Sequence, residues 1–456
     1  MERSFSLPLA LLSILGTVAI MLVCLVWLHT EPQIPLLLAC ILAAATSLIG
    51  GCGWKELGSG ILRSVSRSLQ AIVILLLIGA LIGVWIAAGT VPAMVYYGLR
   101  LISPRFFLAS SMLVCALISM VLGSWGTAGT VGLAFMGMAQ AMGIPLPLAA
   151  GAVVSGSYVG DKLSPLADTT NLSAAVAEVD VMESIRNIFR VAAPAFLICL
   201  LLYGALGWRY GSGEAASSGE QILAVAAALG DSFHMTPLNF LPLLVLLVCM
   251  LCRLPAIPSL LAGLLSGAIY AVAVQHGELT SVLGCVLRGY VGNAGNTLVD
   301  QLLTAGGILS MLYTISIILL AMSFGGIMEQ SGQMHTAMTP LLRRAKGFPA
   351  LMTLTTLTAC VTNVLLPDQY IAIALSGRMY AAAYDEQGFR RKDLAMAIGV
   401  GGALTSALVP WNTCGIFMSG ILGVATWRYA PLAFYNYGMV LAVILYAALR
   451  GRKKAR

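Results

Sequence analysis

Charged residues are scarce in this chain, in which only 9% of the 456 residues are Asp, Glu, Lys or Arg. Soluble domains carry about 25% charged residues, so the composition excludes a soluble protein. Hydrophobic residues make up 59% of the sequence and recur in long uninterrupted runs. Runs of about twenty apolar residues match the thickness of a bilayer, which predicts an all-α polytopic membrane protein.

The sequence also lacks the common motifs of catalytic and nucleotide-binding sites. It contains no nucleophile elbow, P-loop or HExxH, which argues against a membrane enzyme and an ATP-driven pump. The four histidines show no metal-ligand spacing, and the one CxxC, Cys249 and Cys252, has no second pair. We therefore predict a protein that is not an enzyme and that carries no resident cofactor.

Basic residues outnumber acidic ones, and they cluster in short loops and in the tail 450–456. Such clustering is typical of the positive-inside bias of membrane proteins. It predicts both termini in the cytoplasm, a basic cytoplasmic tail at 450–456, and the lipid bilayer rather than nucleic acid as the neighbour. A homodimer is one assembly compatible with the sequence.

The apolar runs predict about 14 transmembrane segments (12–14), of which the first is Leu7–Leu28. Two further segments are interrupted by polar residues, one from Leu148 to about Asn187 and one from Leu394 to Thr426. The stretch Ser281–Asp300 fits an interfacial or re-entrant helix. We expect each interrupted segment to be a broken helix that crosses the membrane once.

The two halves of the chain share a pattern at a nearly constant distance. Trp125 and Asp368 are 243 positions apart, and Pro165 and Pro410 are 245 apart. A unit with an odd number of crossings must be followed by an inverted copy, so we predict two inverted-topology repeats. The predicted organisation is a first membrane repeat at 1–233 with an outer loop near 209–235, a second repeat at 234–449, and the tail.

The polar stretch Ser155–Leu172 interrupts the apolar pattern. It holds two carboxylates, one ammonium and several hydroxyl and amide groups: Asp161, Lys162, Ser164, Asp168, Thr169, Thr170 and Asn171. Pro165 removes a backbone donor and disfavours helix at Ser164. Polar residues at membrane depth are costly unless they face protein or water, so we predict a broken helix at a functional site. An extramembrane loop with ordinary turn chemistry is the alternative.

The repeat gives this stretch a counterpart, Val409–Gly415, which offers Asn412 and Thr413 as ligands. Broken helices at corresponding positions of inverted repeats are typical of secondary transporters, whose site lies near the middle of the membrane. Trp125 and Trp411 either line the transport path or pack.

A second pair of polar breaks lies one hairpin upstream. Gly123–Thr130 in the first half matches Asn363–Gln369 in the second. Ser124 and Thr127 are either cation ligands or donors of interhelical hydrogen bonds. Asp368 is either a third carboxylate of the site or a helix cap.

Na+ prefers oxygen ligands, and the polar stretch supplies carboxylate, hydroxyl and amide oxygens. We predict Asp161, Asp168, Thr169 and Asn171 as Na+ ligands. A carboxylate that accepts either a proton or a cation gives exchange without further machinery. Lys162 can neutralise Asp161, which leaves Asp168 as the better exchange group. Lys162 itself is either the proton carrier or a structural partner.

Three motifs resemble the NhaC-type sodium/proton antiporters: GSWGTAGTVG at Gly123–Gly132, GSYVGDKLSPLADTTNLSAAVA at Gly156–Ala177, and SALVPWNTCG at Ser406–Gly415. The resemblance implies an inner-membrane exchanger of Na+ for H+ that works by alternating access without ATP. Gly126 stands where family members often carry Ser or Thr. Some relatives look like malate/lactate exchangers, so the alternative is Na+/H+-coupled transport or exchange of a small organic anion or amino acid.

Overall fold

The regular elements in the described part of the chain are helices. The computed structural model describes residues 5–211, 219–334, 336–337 and 346–454. The α-helices that position the site and its surroundings are α1 (Leu7–Leu22), α2 (Gln33–Ile49), α3 (Trp54–Ala87), α4 (Thr90–Leu101), α5 (Phe107–Thr127), α6 (Leu133–Ala141), α7 (Leu146–Leu163), α8 (Asp168–Val176), α9 (Val181–Gly211), α10 (Gly219–Ser232), α11 (Leu241–Leu251), α12 (Ala256–Ala273), α13 (Leu279–Arg288), α14 (Thr297–Leu303), α15 (Leu312–Gln330), α16 (Phe348–Leu365), α17 (Gln369–Glu386), α18 (Arg391–Gly399), α19 (Thr413–Leu422), α20 (Thr426–Tyr429) and α21 (Phe434–Lys454).

Seven helices of the described part are long and apolar enough to cross a membrane, and counting each bent pair as one span raises the number to ten. The prediction of an all-α polytopic membrane protein is therefore confirmed. Other apolar helices are short, such as α2 with 17 residues and α13 with 10. The count of about 14 segments and the inverted repeats stay predictions, as does the division at residue 233.

Two predicted segments lie partly outside the described residues. These are the outer loop near 209–235, of which 212–218 are not described, and the basic tail, of which 455–456 are not described. Within the outer-loop range the structure has α10, which meets the helical segment Pro237–Leu251 at an angle of 89°. This range therefore contains a helix and not only a connecting loop.

The long helix α3 packs along α12, α13 and α15. Glycine permits the close approach of α3 and α15, since a β-carbon added to Gly326 would lie 2.6 Å from the carbonyl oxygen of Gly60. Small residues at such contacts are typical of helix packing in membranes. α5 and α7 form the other extensive helix pair, and the polar stretch lies at the end of α7.

Three helix breaks fall on the residue directly before a proline. Ser164, Leu366 and Val409 have extended backbones, with φ of −102°, −120° and −100°. Proline disfavours the helical conformation in the residue that precedes it, which explains these three positions. A fourth break lies inside α5 at Gly123, whose φ of 68° and ψ of 178° suit a residue without a β-carbon.

The four breaks form two pairs. The first break pair is Gly123 with 164–167, and the second break pair is 366–368 with 409–412. Positions 123 and 366 differ by 243, and positions 164 and 409 differ by 245. The breaks thus recur at the spacing of the sequence pattern.

Candidate ion-binding site

A buried group of three polar side chains lies at the first break pair. The Lys162 ammonium donates to the Thr169 hydroxyl at 2.5 Å, and that hydroxyl donates to Oδ2 of Asp161 at 2.7 Å. Lys162 Nζ also lies 3.5 Å from the same carboxylate oxygen. The Lys162 side chain has no exposed surface and that of Asp161 is 7% exposed. A fully buried ammonium is costly without an opposite charge, so Asp161 is its necessary partner.

The break between α7 and α8 brings these side chains together. Asp161 and Lys162 lie in the last turn of α7, where a cation interacts favourably with the helix dipole. The chain then turns through 164–167, so that the second residue of α8, Thr169, lies against the end of α7. Thr170 donates to the Asp161 backbone carbonyl at 2.9 Å and satisfies an acceptor that the helix end leaves free.

Two other predicted ligands stabilise the break itself. The Ser164 hydroxyl donates to the Met120 carbonyl of α5 at 2.5 Å and accepts from the Leu166 backbone at 3.1 Å. The Asn171 amide donates to the carbonyls of Pro165 and Ala167 at 2.9 and 3.0 Å. Backbone carbonyls freed by the break thus have side-chain donors, and these two polar groups hold the turn in place.

Asp168 lies apart from the buried group. It is the first residue of α8, where a carboxylate interacts favourably with the helix N-terminus, and its side chain is exposed. Successive helical residues point about 100° apart, so Asp168 and Thr169 face different surroundings. Of the four predicted Na+ ligands the structure brings together Asp161 and Thr169 and leaves Asp168 and Asn171 outside. The ligand set itself stays a prediction.

The break of α5 lies against the Asp161 carboxylate. A β-carbon added to Gly123 would lie 3.7 Å from Oδ1 of Asp161, whereas Thr169 and Lys162 approach Oδ2. Thr127 donates to the Gly123 carbonyl at 2.8 Å, within its own helix rather than across to another one. Ser124 is buried beside the break. One carboxylate oxygen therefore faces a second interrupted helix.

Asp368 caps a helix in the second break pair. Its Oδ1 accepts from the backbone N–H groups of Tyr370 and Ile371 at 2.8 and 3.0 Å, as expected of an N-cap residue of α17. The residue is 7% exposed. Both cap bonds go to one oxygen, so Oδ2 stays available to a cation. The cap interpretation is confirmed, and it does not remove Asp368 from the list of carboxylate ligands.

Two buried asparagines join the halves of the second break pair. Asn412 caps α19 by accepting from the Cys414 backbone at 3.2 Å, and its amide donates to the carbonyl and the side chain of Asn363, both at 3.2 Å. Asn363 donates in turn to the Gly402 carbonyl at 2.5 Å. The Thr413 backbone N–H donates to the Pro367 carbonyl at 2.9 Å. This pair is held by neutral amide groups.

The two break pairs meet through aromatic residues. Trp125 stacks on Phe417 of α19 with ring centroids 4.2 Å apart, and Trp411 donates to the Val364 carbonyl at 2.7 Å. Both tryptophans also pack against the hydrophobic core, which was one of the two interpretations of the sequence.

Sequence reasoning missed Tyr158. It lies in α7 one turn before Asp161, is fully buried, and directs its hydroxyl toward Cys414 and Ser406 of the second half. Its position three residues before Asp161 on one helix was the available signal, because such residues share a face.

Comparison with known proteins assigns the family. A model of the Na+/H+ antiporter family matches residues 6–170 and 156–450. The chain belongs to the Na+/H+ antiporter family. This confirms the resemblance carried by the three motifs, each of which lies within the matched residues.

Three relatives of this antiporter align over nearly their whole length. The chain is 33% identical to the Na(+)/H(+) antiporter NhaC of Alkalihalophilus pseudofirmus, with 98% of this chain and 97% of the relative covered. It is 34% identical to the Na(+)/H(+) antiporter NhaC of Bacillus subtilis, with 96% of both chains covered. It is 32% identical to the Malate-2H(+)/Na(+)-lactate antiporter of Bacillus subtilis, with 92% and 90% covered. The relatives are named as transporters and not as enzymes.

Proposed function

We propose that this antiporter exchanges Na+ for H+ across the cytoplasmic membrane by alternating access, with both termini in the cytoplasm. The observation that carries the proposal is the buried Asp161–Lys162 pair at a helix break, bridged by Thr169. A membrane helix tolerates such charges where they serve ion or proton transfer. The family and the printed names of two relatives support the same ions.

Asp161, and not Asp168 as the sequence suggested, is the carboxylate that exchanges its partner in this mechanism, because Asp161 lies in the buried group with Lys162. A Na+ ion bound to Asp161 replaces the Lys162 ammonium as the neutralising charge. The ammonium then either moves away or releases its proton, because an unpaired buried charge is costly. Proton release couples Na+ binding to H+ exit, and the reverse step restores the pair. Exposed Asp168, one residue before Thr169, attracts cations to this site.

Two inverted repeats with the boundary near residue 233 are part of the proposal. The matched spacing of the breaks supports two related units. A further correspondence supports them too, since Gly89 and Gly332 each follow a long helix and have φ of 72° and 75°. Equivalent units placed in opposite orientation give alternating access by exchanging their roles.

The test is proton flux in liposomes that contain the purified protein and a trapped pH dye. Pulses of Na+, Li+ or K+ are given without organic solutes, and Asp161→Asn is compared with the parent protein. We expect Na+-dependent proton flux in the parent and background flux in Asp161→Asn. Flux that is equal in both proteins would contradict the role of Asp161.

Exchange of a small organic anion coupled to Na+ and H+ is the second candidate. It is favoured by the buried Lys162 ammonium, which can bind a carboxylate, and by the relative named as a malate/lactate antiporter. The same liposomes separate the two functions. Flux that begins only after lactate or malate is added would favour the second candidate over simple cation exchange.

A further inference from the structure

An ion pair links α3 and α15 outside the two break pairs. Arg67 Nη1 lies 2.7 Å from Oε2 of Glu329, and the two side chains are 44% and 35% exposed. The pair is therefore neither buried in the core nor fully in solvent.

Packing places this ion pair next to the second break pair. Gly325 of α15 lies against the break, since a β-carbon on it would be 3.0 Å from Cδ of Pro367. Glu329 is four residues after Gly325 and thus on the same helix face. The Asp368 carboxylate interacts electrostatically with both Arg67 and Glu329. Glu329 therefore lies one helical turn from the contact between α15 and the break that precedes Asp368.

A third polar group lies at the same helix contact. Ser64 is three residues before Arg67 on α3 and 1% exposed, and a β-carbon on Gly326 would lie 2.9 Å from its Cβ. In the part of the chain that the structure describes, its hydroxyl has no hydrogen-bond partner. A buried hydroxyl without a partner is costly, so a polar ligand beside it would stabilise it.

We propose that Arg67 and Glu329 form the gate of a cation path that passes Ser64 and ends at Oδ2 of Asp368. This rests on the cation exchange proposed above. While paired, Arg67 neutralises Glu329 and its positive charge opposes cations. An incoming Na+ ion competes with Arg67 for Glu329 and proceeds to Asp368, whose Oδ1 is occupied by the helix cap.

The gate predicts opposite effects for its two members. Glu329→Gln leaves the Arg67 charge unopposed and is expected to raise the KM for Na+ about fivefold, the scale of a partly exposed ion pair. Arg67→Gln leaves the Glu329 charge free and is expected to lower that KM by a similar factor. The double variant is expected near the parent value, because both charges are gone. A merely structural contact would shift both single variants in the same direction.

The path also predicts an effect of the serine hydroxyl. Ser64→Ala removes a buried hydroxyl that has no hydrogen-bond partner among the described residues, so we expect an unchanged or slightly higher unfolding temperature. The KM for Na+ should rise about twofold, the scale of one weak neutral interaction. An unchanged KM would remove Ser64 from the path.

The matched control is the ion pair Arg391–Asp385, which is 2.6 Å long and also partly exposed. Arg391→Gln and Asp385→Asn should leave the KM for Na+ unchanged. The measurement is initial proton flux against Na+ concentration in liposomes, with unfolding temperature checked for every variant. Equal or same-direction KM shifts in the Arg67 and Glu329 variants would overturn the gate while exchange itself stands. A parent protein without Na+-dependent flux would instead overturn the proposed function.

Discussion

The two break pairs hold their helices with different chemistry. The first contains a buried ion pair, Asp161 and Lys162, whose charges compensate each other. The second contains one carboxylate, Asp368, and a network of neutral amides from Asn363 and Asn412. A compensated pair can exchange its cation without a change in net buried charge. The amide network keeps its hydrogen bonds in every protonation state, so it suits a rigid frame.

This difference indicates that the first break pair couples Na+ to H+ and that the second break pair guides the cation. The ammonium of the first break pair lies within the protein and competes directly for its carboxylate. The ion pair nearest to the second break pair, Arg67 with Glu329, is instead partly exposed. We therefore expect changes at the first break pair to abolish exchange and changes at the second to alter mainly its affinity.

The largest expected effect comes from breaking the compensated pair. Lys162→Met leaves the Asp161 carboxylate buried without its cation, and Asp161→Asn leaves the ammonium without its anion. Each single change is expected to cost about 3–5 kcal/mol of stability, because an uncompensated charge stays buried. Na+-dependent flux should fall to background in both. The measurements are thermal unfolding in detergent and dye-detected flux in liposomes.

The double variant Asp161→Asn, Lys162→Met distinguishes stability from transport. It has no unpaired charge, so its unfolding temperature should recover toward the parent value. Its flux should stay at background, since neither exchange group is left. Recovered flux in the double variant would show that the pair is structural and that another carboxylate carries the coupling.

A smaller effect is expected at Asp368. Asn is as good an N-cap as Asp, so Asp368→Asn should keep the parent stability, whereas Asp368→Ala should lose about 1 kcal/mol. Both changes remove the charged oxygen, and both should raise the KM for Na+ about tenfold, the scale of one charge-assisted interaction. The two variants are compared by their unfolding temperatures and by the dependence of proton flux on Na+ concentration. If Asp368→Asn has the parent KM, Asp368 serves only as a helix cap. In that case only the first break pair takes part in exchange.

The sequence predicts the breaks better than it predicts which side chains face inward. Pro165, Pro367 and Pro410 force an extended residue before them, and that local effect is readable from the chain. Which side chains face the interior depends instead on the direction in which the chain turns at each break. Thr169 turns toward Lys162, while neighbouring Asp168 turns to the surface.

Hydrogen bonds from side chains to nearby backbone carbonyls are a second feature that residue spacing in the sequence does not predict. Asn171 and Thr127 looked like ligands or interhelical donors, yet both donate to backbone carbonyls near their own positions. Asn and Thr side chains reach backbone groups within one turn, so a freed carbonyl nearby competes with an ion for them. A broken helix supplies such carbonyls.

Among the residues at the two break pairs, the smallest effect is expected at Tyr158, which connects the pairs. Its buried hydroxyl faces Cys414 and Ser406 and makes at most weak interactions with them, so Tyr158→Phe should change the unfolding temperature little. Tyr435 is the matched control, because it is equally buried and its hydroxyl lacks a hydrogen-bond partner within the described ranges. If the Tyr158 hydroxyl contributes to exchange, Tyr158→Phe should raise the KM for Na+ about twofold to threefold, as for one weak neutral interaction, while Tyr435→Phe changes nothing. Identical kinetics for the two variants would mean that the two break pairs act without this hydroxyl and that packing contacts, such as that of Trp125 on Phe417, are enough to join them.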